Sequence, residues 1–207
     1  MLNRNNFAIA CLASKEESRY ALNGILVEPG CTTVTDGHIL LFATGDNTEL
    51  ADFPVIDGFE PTQDFQPFVL ESKTALEVGK AIPKRQVRPV LEHAVISRTN
   101  GTARIAVTDL ESPRTFVAPP AEVGKEFPDF RRVIPDPREA EATISFNPLL
   151  MASLLKQMAT FCESNLPRVT LRIYSADEAM RIDAENRETG QKAIGAIMPM
   201  AQPKSAK

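Results

Sequence analysis

PFVLESKTALEVGKAI, residues 67–82, decides the fold, because the chain repeats its plan in ATISFNPLLMASLLKQM, residues 142–158. Each copy opens with a short β-branched or aromatic run, which favours an extended strand. A capping residue follows: Ser72 in the first copy, and Asn147 in the second, with Pro148 at the favoured first helical position. The spacing then predicts a helix of about three turns. In the first copy Ala75, Val78, Gly79 and Ile82 recur at i, i+3, i+4 and i+7 and make an inward stripe. Lys73 and Lys80 are seven apart and share the opposite face. In the second copy Leu150, Leu154, Met158 and Phe161 are read as buried, which leaves Ser153, Lys156, Gln157 and Thr160 outside.

Strand-like runs follow each helix. After the first they read LEHAVISR, TARIAVTD and RTFVAP, with Asn100-Gly101 as a hairpin turn. After the second they read RVTLRIYS, EAMRIDAE and KAIGAIMPM. A third copy begins at the N-terminus, with NNFAIACLAS as helix and YALNGILVE, CTTVTDG and HILLFAT as strands. This copy is expected to lack its leading strand, because only Met1 to Arg4 precede the helix. The chain therefore reads as an α+β protein of three β-α-β-β-β units, at an interval of about 70 residues. Residues 119–142 hold five prolines and many charges and read as a connector. Residues 1–134 then carry two units, residues 135–202 carry one, and residues 203–207 form a flexible tail.

Composition narrows the function. The chain is 43% hydrophobic and 24% charged, the make-up of a globular protein. No apolar stretch approaches the ~20 residues of a membrane span, and no long apolar core marks a signal peptide, so a cytoplasmic protein is expected. Three scattered cysteines and two histidines offer no metal-ligand spacing; no metal and no cofactor are expected. The net charge of −4 argues against a protein coated in basic residues, but basics still cluster at Lys80, Lys84, Arg85 and Arg88. Lysines on helices can neutralise backbone phosphates without reading bases.

TTVTDGHILLFA, residues 32–43, poses a choice between chemistry and a turn. Asp36 and His38 are two apart and share one side of a strand. An Asp–His pair also needs a nucleophile, metal or substrate pocket, and the sequence supplies none, so catalysis is not expected.

Three stretches resemble one family, the bacterial DNA polymerase III beta subunit or β sliding clamp. RYALNGILVE (19–28) with TVTDGHIL (33–40) is similar to the start of the clamp's middle domain. EFPDFRRVIP (126–135) is similar to the segment joining middle and last domains. ISFNPLLMASLLKQM with the terminal MPM (198–200) is similar to the second half of the last domain. The resemblance runs over roughly residues 7–202 and leaves out the clamp's first domain and the first half of its last.

The resemblance implies a DNA-clamp fold, with helices facing central duplex DNA and sheets facing solvent. It implies that the TDGH segment belongs to a groove for short peptides from polymerases and other partners. Leu22, Thr35, Gly37, His38 and Leu40 would line one side, Pro128, Arg132 and Val133 would come from the connector, and Ile197, Met198 and Pro199 would close it. Ile39 stands where many clamps carry Arg. Arg4, Lys73, Lys80, Lys84, Arg85 and Lys156 would face DNA, with Lys73 and Lys80 the best matches. Clamps close with twelve such units, so a homotetramer of three-unit chains is the ring implied, with a clamp loader as a further partner. A peptide-binding decoy or adaptor without a ring is the alternative.

Overall fold

The computed structural model describes residues 1–16, 22–99, 101–119, 127–140, 142–175 and 177–201. The chain divides into two compact units, residues 1–134 and residues 135–207.

The N-terminal unit contains two copies of one module. The first runs β1 (Leu2–Asn3), α1 (Arg4–Ala8) with a 3-10 turn over Ile9–Leu12, β2 (Gly24–Glu28), β3 (Cys31–Thr35) and β4 (Leu40–Thr44). The second runs β5 (Phe68–Glu71), α2 (Ser72–Ala81), β6 (His93–Thr99), β7 (Thr102–Val107) and β8 (Arg114–Ala118). The expectation that the first copy lacks a leading strand is corrected: Leu2–Asn3 is that strand. It is only two residues long and pairs with the other module, Leu2 opposite Ala94 and Asn3 opposite His93. A strand this short has no stability of its own, so only the partner edge makes it legible. The second module returns the exchange, as β5 pairs with β2. Two four-stranded antiparallel sheets result, β4-β3-β2-β5 and β1-β6-β7-β8.

The two helices pack against each other and against strands of both sheets. Asn3 caps α1 through its side chain, which accepts from Asn5 and Asn6 N–H, while Asn6 reaches back to the Asn3 N–H. In α2 the predicted stripe Ala75, Val78, Gly79 and Ile82 is buried throughout. Gly79 lets the helices approach: a Cβ there would stand 3.2 Å from Phe7 Cβ. Phe7, fully buried, anchors one core with Ile25, Val27, Leu70, Ala94 and Ile105 from both sheets. Burying each such side chain contributes about 1.5–3 kcal/mol. The predicted cap of α2 is corrected: Ser72 is the first helical residue, and the N-cap Glu71 makes no side-chain cap. Gly101 takes φ +82 in the tight β6–β7 connection, while Asn100 lies outside the described residues.

The C-terminal unit is a single module: α3 (Pro148–Met158), β9 (Val169–Arg172), β10 (Met180–Glu185) and β11 (Lys192–Ile197), in a sheet ordered β11-β10-β9. Asn147 caps α3 as predicted, accepting from Leu149 N–H at 2.9 Å and Leu150 N–H at 3.4 Å. The predicted buried stripe is corrected. Met151, Met158 and Cys162 are buried with Ile182 and Ile197, Leu154 and Leu155 are half-buried, and Leu150 and Phe161 are exposed. The polar side Ser153, Lys156 and Gln157 is exposed as read, but apolar residues spread over more than one remaining face, so the pattern alone did not choose which apolar face is covered. Gly195 on β11 chose it, since a Cβ there would meet Met158 Sδ at 2.9 Å and Leu154 Cδ1 at 3.1 Å. Among the described residues no helix is long and apolar enough to cross a membrane.

Candidate functional site

The TDGH corner joins β3 to β4 and is built on backbone hydrogen bonds. The Asp36 carboxylate accepts from His38 N–H at 2.8 Å and Ile39 N–H at 2.9 Å. Those bonds, Ile39's first, hold the Asp36 carboxyl below the usual carboxylate range. Thr35 Oγ1 donates to the Ile39 carbonyl at 2.6 Å and accepts from Gly37 N–H at 3.1 Å. Gly37 sits at φ +96, a conformation a side chain would strain. Asp36 thus serves as a turn former. His38 is exposed.

Thr35 and Leu40 are opposite one another, with Thr33 opposite Phe42 in the same ladder. By strand alternation these four share the outer face of the sheet, away from the helices. The connector docks on that face. Phe130 is buried and stacks on Phe42 with ring centroids 5.7 Å apart, and Phe127 meets Phe130 edge-on at 6.4 Å. Arg131 fixes the register by donating to both oxygens of Glu28, at 2.9 and 3.1 Å. Its guanidinium also lies over the Phe130 ring, 4.5 Å from the centroid. Cys31 is beside Glu28, and burial followed by that carboxylate pushes its thiol pKa up, which keeps it a poor nucleophile.

Of the expected groove residues, Thr35, Gly37, His38 and Leu40 are brought together on this hairpin. Leu22 is half-buried just before β2, and Pro128, Arg132 and Val133 flank the docked Phe130 and are exposed. In the C-terminal unit Ile197 is a core residue, Met198 is exposed and Pro199 is half-buried. Sequence reading missed Phe42, Phe127 and Phe130. The signal was present in HILLFAT, whose apolar residues fall on both strand faces: one face covers the core, and the other needs a second layer or a guest.

Of the basic positions, Lys73, Lys80, Lys84, Arg85 and Lys156 are exposed. Arg4 is half-buried, and its guanidinium donates to the Ile82 carbonyl at the end of α2, so it serves that helix terminus. Glu77 is exposed on the same face of α2 as Lys73 and Lys80 and dilutes their charge.

An Asp–His pair does exist, away from the corner. Buried His93 Nε2 is 2.7 Å from Asp46 Oδ2, and its Nδ1 faces the Pro89 and Val90 carbonyls at 3.1 and 3.2 Å. Burial opposes ionisation of Asp46, but hydrogen bonds from Thr48, His93 and Asn3 outweigh it and hold the carboxyl well below the usual range. These contacts tie the loop after β4 to β1 and to the turn before β6. A neighbouring cleft of about 380 Å³, lined by Met1, Leu50, Phe65 and Val95 among others, touches none of the expected groove residues. No group of metal-ligating side chains occurs among the described residues.

No protein-family model and no curated protein matches this chain. Solved structures do. The DnaN sliding clamp (DNA polymerase III subunit beta) from Pseudomonas aeruginosa bound to griselimycin superposes with TM-score 0.69 at 19% identity, covering 95% of this chain and 47% of that one. The DNA polymerase sliding clamp from Bacillus subtilis gives TM-score 0.64 at 20% identity, covering 96% and 48%. The beta subunit from DNA polymerase of Streptococcus pyogenes gives 0.64 at 18%, covering 97% and 49%. The chain has the fold of sliding clamps, and it spans about half the length of the clamps it matches.

Proposed function

We propose that this chain is a sliding-clamp-like processivity factor, which encircles duplex DNA as an oligomeric ring and tethers polymerase or repair partners through a peptide-binding surface. One observation carries the reading. With the N-caps Glu71 and Asn147 placed in register, Lys80 and Lys156 occupy the same helical position, and both are exposed while the opposite stripe is buried on its sheet. Helices so built present a lysine at one shared position to a phosphate backbone without base readout. The outer face around Thr35, Leu40, Phe42 and Phe130 suits a peptide that anchors through Leu or Phe side chains.

Retention on circular DNA tests the ring. The protein is expected to co-elute with nicked circular plasmid, to run off when the plasmid is cut, and to be lost above physiological salt. Lys80→Glu with Lys156→Glu is expected to abolish retention. Equal binding to linear and circular DNA overturns the ring.

The second reading, a peptide-binding decoy or adaptor without a ring, is favoured by Leu149, which stands exposed at the position Lys73 holds in α2. Binding of a fluorescent clamp-motif peptide with no retention on circular DNA selects it.

A further inference from the structure

We infer that the C-terminal unit is half of a closed two-module domain, and that a second copy of the same unit completes it by exchanging leading strands. This pairing goes beyond the ring reading, because it requires neither DNA nor a closed circle.

The N-terminal unit shows what a module needs. Each module there lends its leading strand to the other's first long strand, and both seams keep one register. The N-cap residue lies opposite the residue that precedes the first core position: Asn3 opposite His93, and Glu71 opposite Gly24. The leading-strand residues Leu2, Phe68 and Leu70 are then buried, as are Ile25, Val27, Ala94 and Ile96 across the seams.

In the C-terminal unit the same positions are open. Phe146 and Ile144 correspond to Leu70 and Phe68. Phe146 is 38% exposed against 1% for Leu70. Residues 143–147 pair with no strand among the described residues. β9 corresponds to β2 and β6 but lies at a sheet edge, and Leu171 is 46% exposed where Val27 is fully buried. On α3, Leu154 and Leu155 are half-buried where Val78 and Gly79 are buried against α1 and the core. Only residues 135–141 separate the N-terminal unit from Ala142, too few to form another module between them.

The occupant follows from register. Carrying the β2–β5 pairing over sets Phe146 of one copy opposite Val169 of the other, Ser145 opposite Thr170, and Ile144 opposite Leu171. Apolar then meets apolar on the core face, and hydroxyl meets hydroxyl outside. Ser145 already turns its carbonyl inward, accepting from Met200 N–H at 2.7 Å. Alternate residues of an extended segment point to opposite edges, so Ile144 and Phe146 turn their N–H and C=O groups toward the vacant side. The module carries both a donor strand and an acceptor edge, so two copies satisfy each other about a two-fold axis. An exposed edge strand left uncovered would otherwise pair indiscriminately.

The full chain in sedimentation and light scattering tests this, without DNA. The expected mass is twice 22.7 kDa or a higher even multiple; a chain that stays at 22.7 kDa at micromolar concentration overturns the pairing. Phe146→Glu is tolerated by the single module, where the side chain is exposed, and is expected to shift the mass to monomer with the circular dichroism spectrum kept. If Phe146→Glu still dimerises, the pairing is wrong. Ser145→Cys with Thr170→Cys in one chain should give a covalent dimer on mild oxidation, reversed by dithiothreitol and absent from each single variant; a disulfide within one chain refutes it. Dimers that are not retained on circular DNA sink the ring and leave the pairing standing. Retention on DNA by a protein whose mass ignores Phe146→Glu does the reverse.

Discussion

The N-terminal and C-terminal units are made of the same module and differ in what closes it. In the N-terminal unit two modules bury a common core, with α1 against α2 and each leading strand in the other's sheet. Among the described residues of the C-terminal unit α3 packs on its own sheet without a second α-helix, and β9 is an edge. The difference shows that the module is a half-structure: its helix has two apolar neighbours to satisfy, and its first long strand has two edges. Two helices packed side by side on two sheets, around one core, satisfy both at once.

Four measurements would break or sharpen this contrast. The largest effect is expected from Phe7→Ala, which opens a cavity at the helix–helix contact and should cost about 3–5 kcal/mol in urea unfolding. Leu155→Ala at the half-buried equivalent region of α3 should cost no more than about 1–2 kcal/mol in the monomer. Equal losses would mean that α3 is already closed as α2 is.

Next is Gly24→Val, aimed at the β2–β5 seam. A Cβ at Gly24 would meet the Leu70 carbonyl, backbone that cannot yield. A loss of about 2–3 kcal/mol is expected, with exchange protection falling first along Phe68–Glu71. Undiminished protection there would show that the seam does not hold the modules together.

Asp46→Asn tests the third tie, between the loop after β4 and the second module. The folded-state pKa of Asp46 is depressed, so its contribution is present at neutral pH, above the unfolded value near ~4. It is lost as pH falls from there through the lower folded value. The variant should therefore melt lower than the parent at pH 7, and the gap should close progressively in acid. A gap that widens in acid contradicts the assignment. The C-terminal unit, which lacks the tie, should not respond.

The smallest effect on stability is expected at Phe42→Ala, about 1 kcal/mol, since Phe42 is partly exposed and loses mainly its stacking on Phe130. Its effect on peptide capture should be larger, at least about tenfold in Kd, as expected of an aromatic anchor. His38→Ala should weaken capture only modestly. A peptide affinity indifferent to Phe42 would remove the outer face as the binding surface.

The repeat itself was readable from residues 67–82 and 142–158, because helical periodicity and Asn147 capping are local properties. The stripe Ala75, Val78, Gly79 and Ile82 was readable for the same reason. The face of α3 was legible only in part: Ser153, Lys156, Gln157 and Thr160 marked its exposed side, but Leu149, Leu150, Met151, Leu154, Leu155 and Met158 make an apolar surface too broad to say which of them is covered. The TDGH corner was recognisable as a turn candidate from Gly37, whereas the connector's Phe130 on Phe42 was not, because it joins residues far apart in sequence through ring packing alone.

The amino-acid order by itself determined a plan repeated three times, a helix followed by three strands, together with the positions of the lysines and the break near residue 135. Tertiary structure alone decided that Leu2–Asn3 is a strand, that leading strands are exchanged between modules, and that the third module keeps an open edge. The physical reason is range: periodicity and caps are settled within a few residues, but a two-residue strand and a half-buried helix take their energy from a partner that local sequence does not identify.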